Sequence, residues 1–198
     1  MRVLSIEDKQ ELGVLHTISS PILKVDDRIR EIVDKMSRIT DACETIGLSA
    51  VQLGYTIRVF VIHMYSGLFD PAKDLKIISG HYSLSGRCLV CINPEIVSFS
   101  GENVTLFEGC LSTKPYGLIG ISRPSHVDLR YTDIVGNECV IRAYSWLSRC
   151  IQHEMDHLNG VLLANVVDNV KNNNATSVSE EDHSSVHILL LDRGRHDG

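Results

Sequence analysis

Ser145-Trp146-Leu147-Ser148-Arg149-Cys150-Ile151-Gln152-His153-Glu154-Met155-Asp156-His157-Leu158-Asn159-Gly160 decides the reading of this chain. Ser145 is a suitable N-cap for a helix running from Trp146 to about Asn159, and Gly160 stands where a C-cap glycine belongs. Trp146, Leu147, Cys150, Ile151 and Leu158 give that helix a side to seat in a core. Inside it, His153-Glu154-Met155-Asp156-His157 has the pattern HExxH. Histidines four residues apart lie one turn apart on one face, so both imidazoles reach a single ion from one rigid element. Glu154, next to the first histidine, stands beside the ion's open position, where it can take a proton from bound water. The competing reading is a buried amphipathic helix with two satisfied histidines. It would leave Glu154 beside a core without a partner, which is costly.

A catalytic site of this kind usually has three protein ligands and an open fourth position. Downstream of the motif stand only His183, His187, His196 and acids in a polar stretch, so an upstream ligand is the better expectation. Cys110, in Glu108-Gly109-Cys110-Leu111-Ser112, is the best candidate. Taken alone, a cysteine there is more often a small buried hydrophobe. Cys88-Leu89-Val90-Cys91 is a lone CxxC with no second pair to complete a zinc ribbon, and reads as two thiols in or near a strand. The remaining histidines, among them His16, His63, His81 and His126, form no second metal-site pattern.

Outward from the motif, residues 26–43 read as an amphipathic helix, with Ile29, Ile32, Val33, Met36 and Ile39 at three- and four-residue steps and Asp26 or Asp27 as its cap. Thr45 to Gly54 is a glycine-punctuated turn, and Ile57 to Ile62 a short strand. Residues 63–88 read as a long loop. Leu89 to Phe99 reads as a strand broken near Asn93-Pro94, and Val104 to Phe107 as another. Val127–Tyr131 and Glu138–Tyr144 flank a hairpin turn at Asp133–Asn137. From about Asn169 the chain turns polar, a composition that buries too little surface to order itself. The late patch Ile188–Leu191 is expected to dock on the body or on a neighbour.

The 198 residues suit one domain with an appendage. Apolar content of 43% and charged content of 22% are those of an ordinary globular chain. A net charge of −6 with scattered Lys and Arg argues against a nucleic-acid surface. No stretch approaches the ~18 apolar residues of a membrane helix. The first residues resemble neither a signal nor a transit peptide, so the expectation is a bacterial-type cytoplasmic protein with six reduced cysteines.

Three segments together resemble the peptide deformylase family: Gly47-Leu48-Ser49-Ala50-Val51-Gln52, then Glu108-Gly109-Cys110-Leu111-Ser112, then Gln152-His153-Glu154-Met155-Asp156-His157. The family's patterns are GxGLAAxQ, EGCLS and QHExDH, and their order and spacing match. The resemblance covers about residues 1–168, leaving 169–198 as a polar C-terminal tail. It implies an α+β fold, a single compact domain of antiparallel β-sheets around a central helix carrying HExxH. It implies a hydrolase that removes the formyl group from the N-terminal formyl-methionine of new proteins, with nascent chains at the ribosome as the expected partner, releasing formate. Cys110, His153 and His157 would hold one divalent ion, Fe²⁺ by the resemblance, with Zn²⁺, Ni²⁺ or Co²⁺ also accepted. Glu154 would be the general base and then acid. Gln52 and the Leu111 backbone N–H would face the developing oxyanion. Ile46 and Gly47 would line the peptide site and Gly109 would bond the substrate backbone, while Trp146, Arg149 and Cys150 would border the methionine pocket. An Arg123–Glu108 pair would support the ligands.

The chain departs from the family at Thr45, where the turn usually has glycine and a positive φ would strain a threonine, and at Ser49, where alanine is usual. Val51 replaces a frequent proline, and Thr113-Lys114-Pro115-Tyr116 an altered loop. Two rivals remain at this level: a general metallopeptidase, which would want a downstream ligand, and a metal-binding protein without activity, which an intact Gln52, Cys110 and Glu154 argue against.

Overall fold

The computed structural model describes residues 2–65, 67, 70–163 and 165; the polar segment expected from residue 169, with its apolar patch, lies outside them. Asp8 accepts the backbone N–H groups of Gln10 and Glu11 and opens α1 (Lys9–Leu15). Asp26 does the same for Ile29 at 3.0 Å and opens α2 (Asp27–Cys43), whose buried stripe is Ile29, Ile32, Val33, Met36 and Thr40. This is the helix expected from the periodicity. It stops at Glu44, which takes a left-handed conformation (φ 50°). Thr45 therefore does not need positive φ: its neighbour makes the turn, and its hydroxyl bonds the Gly47 carbonyl at 3.2 Å.

There follow β1 (Gly47–Ser49), a 3₁₀ turn (Ala50–Leu53), β2 (Val59–His63), α3 (Pro71–Asp74), β3 (Leu75–Ser79), β4 (Cys88–Phe99), β5 (Asn103–Glu108), a second 3₁₀ segment (Leu111–Tyr116), β6 (Ile119–Pro124), β7 (His126–Thr132), β8 (Glu138–Tyr144) and α4 (Ser145–Leu158). Six strands form an antiparallel sheet in the order β1-β2-β4-β7-β8-β3, and β5 pairs with β6 separately.

Side-chain alternation splits the core into two layers. Phe60, Ile62, Leu89 and Cys91 face α4, where they meet Leu147, Cys150, Ile151 and Leu158. Val59, Val61, Cys88, Val90 and Ile92 face α2. Strands buried on both faces carry near-continuous apolar runs, which is why β2 and the first half of β4 are plain in the sequence. The CxxC pair is divided by the same alternation. Cys88 and Cys91 lie in opposite layers and are free buried thiols.

Several expectations need correction. Residues 63–88 are not all loop: β3 adds to β8 as the far edge of the sheet. It was hidden because four of its five residues are exposed, so burial imposes no alternation. The break expected near Asn93-Pro94 is a bulge within one continuous strand. Asn93 sits at φ 49°, and its side-chain amide both donates to and accepts from the Ile22 backbone at 2.7 Å. Ser145 does not cap α4. The cap position is Tyr144, and Ser145 itself turns at φ 52° as the chain leaves β8, its N–H held by the Ser125 carbonyl at 3.2 Å. At the other end Gly160 has φ 71°, as a glycine past a helix end should. Asp133 closes the expected hairpin by accepting the Val135 and Asn137 N–H groups. The α+β class with antiparallel sheets holds. α4 lies between the large sheet and the β5–β6 ribbon, and from Leu147 to Leu158 only Asp156 is not buried.

Candidate metal centre

α4 seats Leu147, Cys150, Ile151 and Leu158 in the core; His153 and His157 lie to one side of that stripe, beside Glu108 and Cys110, and Glu154 lies within it, against Gly47 and Ser49 of β1. Cys110 sits two residues beyond the last residue of β5. Its Sγ lies 3.2 Å from His157 Nε2. One ligand atom each from Cys110, His153 and His157 fall within 4.8 Å of one another, and all three residues are buried. The two imidazole rings are 5.0 Å apart and nearly perpendicular, at 79°.

The donors fit a divalent cation. His153 Nδ1 is 3.0 Å from Glu108 Oε2, which leaves its Nε2 for an ion. Burial alone would push the Cys110 thiol up, but His157 and His153 more than offset this and hold it well below its usual range. A thiolate beside two imidazoles is the donor chemistry of a transition-metal site.

Glu108 is the hub behind the ligands. It is wholly buried, and Arg123 donates to both of its oxygens (Nε to Oε1 at 2.6 Å, Nη2 to Oε2 at 2.9 Å). Arg149 Nη1 donates to Oε1 at 2.6 Å. Arg123 also reaches Asp156 Oδ2 at 2.8 Å. Burial would raise the Glu108 carboxyl, yet the bonds from His153 and Arg123 bring it down to about 2. The carboxylate therefore stays charged and orients the His153 ring.

One small cavity opens beside the ligands, lined by Thr45, Gly47, Gln52, Gly109, Cys110, Leu111, His153 and Glu154. The Gln52 amide is held at both ends: Oε1 accepts the Ser49 N–H at 2.9 Å, and Nε2 donates to Ser112 Oγ at 3.1 Å beside Cys110 Sγ at 3.6 Å. Glu154 is 3% exposed, and burial raises its carboxyl, partly countered by His153, His157 and a bond from Ser49. Ser49 Oγ lies 2.7 Å from Glu154 Oε2 and 3.0 Å from the Glu154 carbonyl.

Of the residues singled out in the sequence, the structure thus gathers Cys110, His153, His157, Glu154, Gln52, Leu111, Gly47 and Gly109. Four others do not line that cavity. Ile46 and Cys150 are fully buried in the layer between sheet and α4, and Trp146 packs against the same layer. Arg149 is buried, held by Glu108 and the carbonyls of Ile121 and Val104, and lines a separate cavity with Leu106, Pro124 and Tyr144. Sequence reasoning missed Ser49 as a partner of Glu154 and Arg149 as a partner of Glu108. Only the alanine-to-serine departure hinted at the first.

Residues 1–173 match the polypeptide deformylase family. A peptide deformylase of Wolbachia pipientis subsp. Culex pipiens is 39% identical over 148 residues, 75% of this chain and 78% of that protein. The crystal structure of a peptide deformylase from Ehrlichia chaffeensis superposes with a TM-score of 0.71 at 38% identity, covering 87% of this chain and 90% of the other. A structure of the enzyme from that organism in complex with actinonin gives 0.68 at 34% identity, covering 89% and 98%. A buried Cys-His-His cluster on this fold, matched along nearly its whole described length, makes the chain a member of the polypeptide deformylase family.

Proposed function

We propose that Cys110, His153 and His157 hold one divalent ion and that the chain uses it to hydrolyse the formyl amide of N-terminal formyl-methionine, releasing formate and a free amine. The observation that carries this reading is the convergence of a thiol and two imidazoles beside a cavity that Cys110, His153 and Glu154 line. When bound, the ion polarises the formyl carbonyl and makes a water acidic enough to lose its proton near neutral pH. Glu154 accepts that proton as the water's oxygen adds to the formyl carbon, and returns it to the amine as the carbon–nitrogen bond breaks. Its raised carboxyl range suits a group that must both take and give. The Gln52 amide and the Leu111 N–H donate to the formyl oxygen as charge grows there, each such donor being worth ~3 kcal/mol. Gln52 is pre-oriented by its bonds to Ser49 and Ser112, so little reorganisation is needed.

β1 is an edge of the sheet, so its outer side is free to run beside a peptide, with Gly47 and Gly109 lining the substrate path and the Ile46 side chain supporting it from the core. Trp146, Arg149 and Cys150 stand behind the methionine side of the site without lining the cavity beside the ligands, Arg149 lining the separate cavity with Leu106 and Tyr144. Fe²⁺ is the favoured ion, with Zn²⁺, Ni²⁺ or Co²⁺ as alternatives. The thiolate in the donor set brings oxygen sensitivity with it. The setting is the cytoplasm, where chains emerging from ribosomes present the substrate. No helix among the described residues is long and apolar enough to cross a membrane. The catalytic unit is residues 1–168, with 169–198 as an appendage.

Anaerobic purification with metal analysis and a formyl-Met-peptide assay tests the whole reading. Expected are about one ion per chain, formate release, no cleavage of unformylated peptide, and inhibition by actinonin. Cleavage of internal peptide bonds without formate release would overturn it. A chain ending at residue 168 is expected to keep full turnover.

A further inference from the structure

Glu154 meets β1 through two positions of that strand that share a face, Gly47 and Ser49, because strand side chains alternate. The two positions treat the carboxylate oxygens differently. Oε2 takes the hydroxyl of Ser49 at 2.7 Å, and among the described residues no other side-chain hydrogen bond reaches this carboxylate. Oε1 points at Gly47 so closely that a Cβ there would collide with it, so the glycine keeps its space open. Gly47 lines the cavity beside the ligands, whereas Ser49 is wholly buried behind it. The Glu154 carbonyl, 3.0 Å from Ser49 Oγ, competes for the one hydroxyl hydrogen, but the shorter contact is to the charged acceptor and is the stronger of the two.

A glutamate's last torsion is broad and roughly two-fold, so an untethered carboxylate would present either oxygen at a range of angles. We propose that Ser49 is a positioning residue that anchors Oε2 and thereby leaves Oε1 as the oxygen that exchanges the proton. This rests on the assignment of Glu154 as the base. The proton passes from water to Oε1 as that water's oxygen adds to the formyl carbon, and from Oε1 to the amine nitrogen as the carbon–nitrogen bond breaks and formate is released. The hydroxyl proton of Ser49 stays on its own oxygen throughout. The anchor acts on the reacting geometry and not on substrate contact, so it belongs to kcat and not to KM.

The test is Ser49→Ala, which installs the residue usual at this position in the family the sequence resembles and removes one oxygen from a buried strand. Steady-state kinetics on a formyl-Met peptide are read together with metal content and melting temperature, in the wild-type chain and in a Glu154→Ala background. One hydrogen bond of ordinary net strength predicts a fall in kcat of about three- to tenfold. KM should stay within about twofold and metal content should be unchanged, with the protein still folded at the assay temperature. In the Glu154→Ala background the second substitution should cost nothing more, because the group it positions is gone. An unchanged kcat, an equal loss in both backgrounds, or a loss that follows metal content would overturn the anchoring role while leaving Glu154 as the base. Full turnover in Glu154→Ala alone would remove the base assignment itself, and Ser49's role with it.

Discussion

Of the two imidazoles at the candidate centre, His153 is oriented by Glu108, whereas His157 Nδ1 is buried with no hydrogen-bond partner among the described residues. Glu154 is a buried carboxylate beside two imidazoles, and no other carboxylate lines its cavity. Glu154→Gln keeps the shape and loses the base, so turnover should fall about 10²–10⁴-fold while metal content stays at the wild-type level. Metal analysis beside the formyl-peptide assay checks this, and unchanged turnover contradicts it. Cys110→Ala leaves two imidazoles, too few to retain an ion in a three-ligand site. Both metal and activity should be lost, and full occupancy in that variant would reject Cys110 as a ligand. HExxH was legible because helical spacing alone puts its histidines together. Ser49 was not, because its acceptor lies 105 residues away.

Helix α4 is the element on which the centre depends, and both its ends are set by backbone conformation. Gly160 follows it at φ 71°, where an added Cβ would strike the His16 carbonyl. The same corner is tied by the contact between His16 Nδ1 and the Gly160 carbonyl at 2.9 Å. Gly160→Ala forces a side chain into the left-handed region and pushes α1 away, at about 1–3 kcal/mol of stability. The denaturation midpoint should drop, while folded protein keeps its turnover; an unmoved midpoint contradicts the tie. The helix itself was readable from its apolar positions, but its start was not. Ser145 has the composition of a cap, yet the sharp exit from β8 sets its backbone at φ 52° and the cap falls one residue earlier.

At the scale of the molecule, the sheet carries charge pairs whose contribution depends on pH. Asp128 and Arg142 face each other across β7 and β8, with Nε to Oδ1 at 2.6 Å and Nη2 to Oδ2 at 2.8 Å. The bonds from Arg142 hold the Asp128 carboxyl below its usual range. The unfolded chain therefore binds that proton at higher pH than the folded one. The pair's stabilisation is present above about pH 4 and fades as pH falls below it. Asp128→Asn should lower the urea midpoint at pH 7, and the deficit should shrink toward pH 3.5; a deficit independent of pH contradicts the assignment. The chain's own order of residues determined the α2 and α4 helices, the doubly buried strands β2 and β4, the β7–β8 hairpin and the paired imidazoles, because each is a local pattern of spacing and burial. Only the tertiary structure decided that Cys110 comes within reach of both imidazoles, that Arg149 and His153 join the Arg123–Glu108 pair, and that β3 joins the sheet edge. Those contacts link residues distant in the chain, and folding brings them together by packing that no local periodicity records.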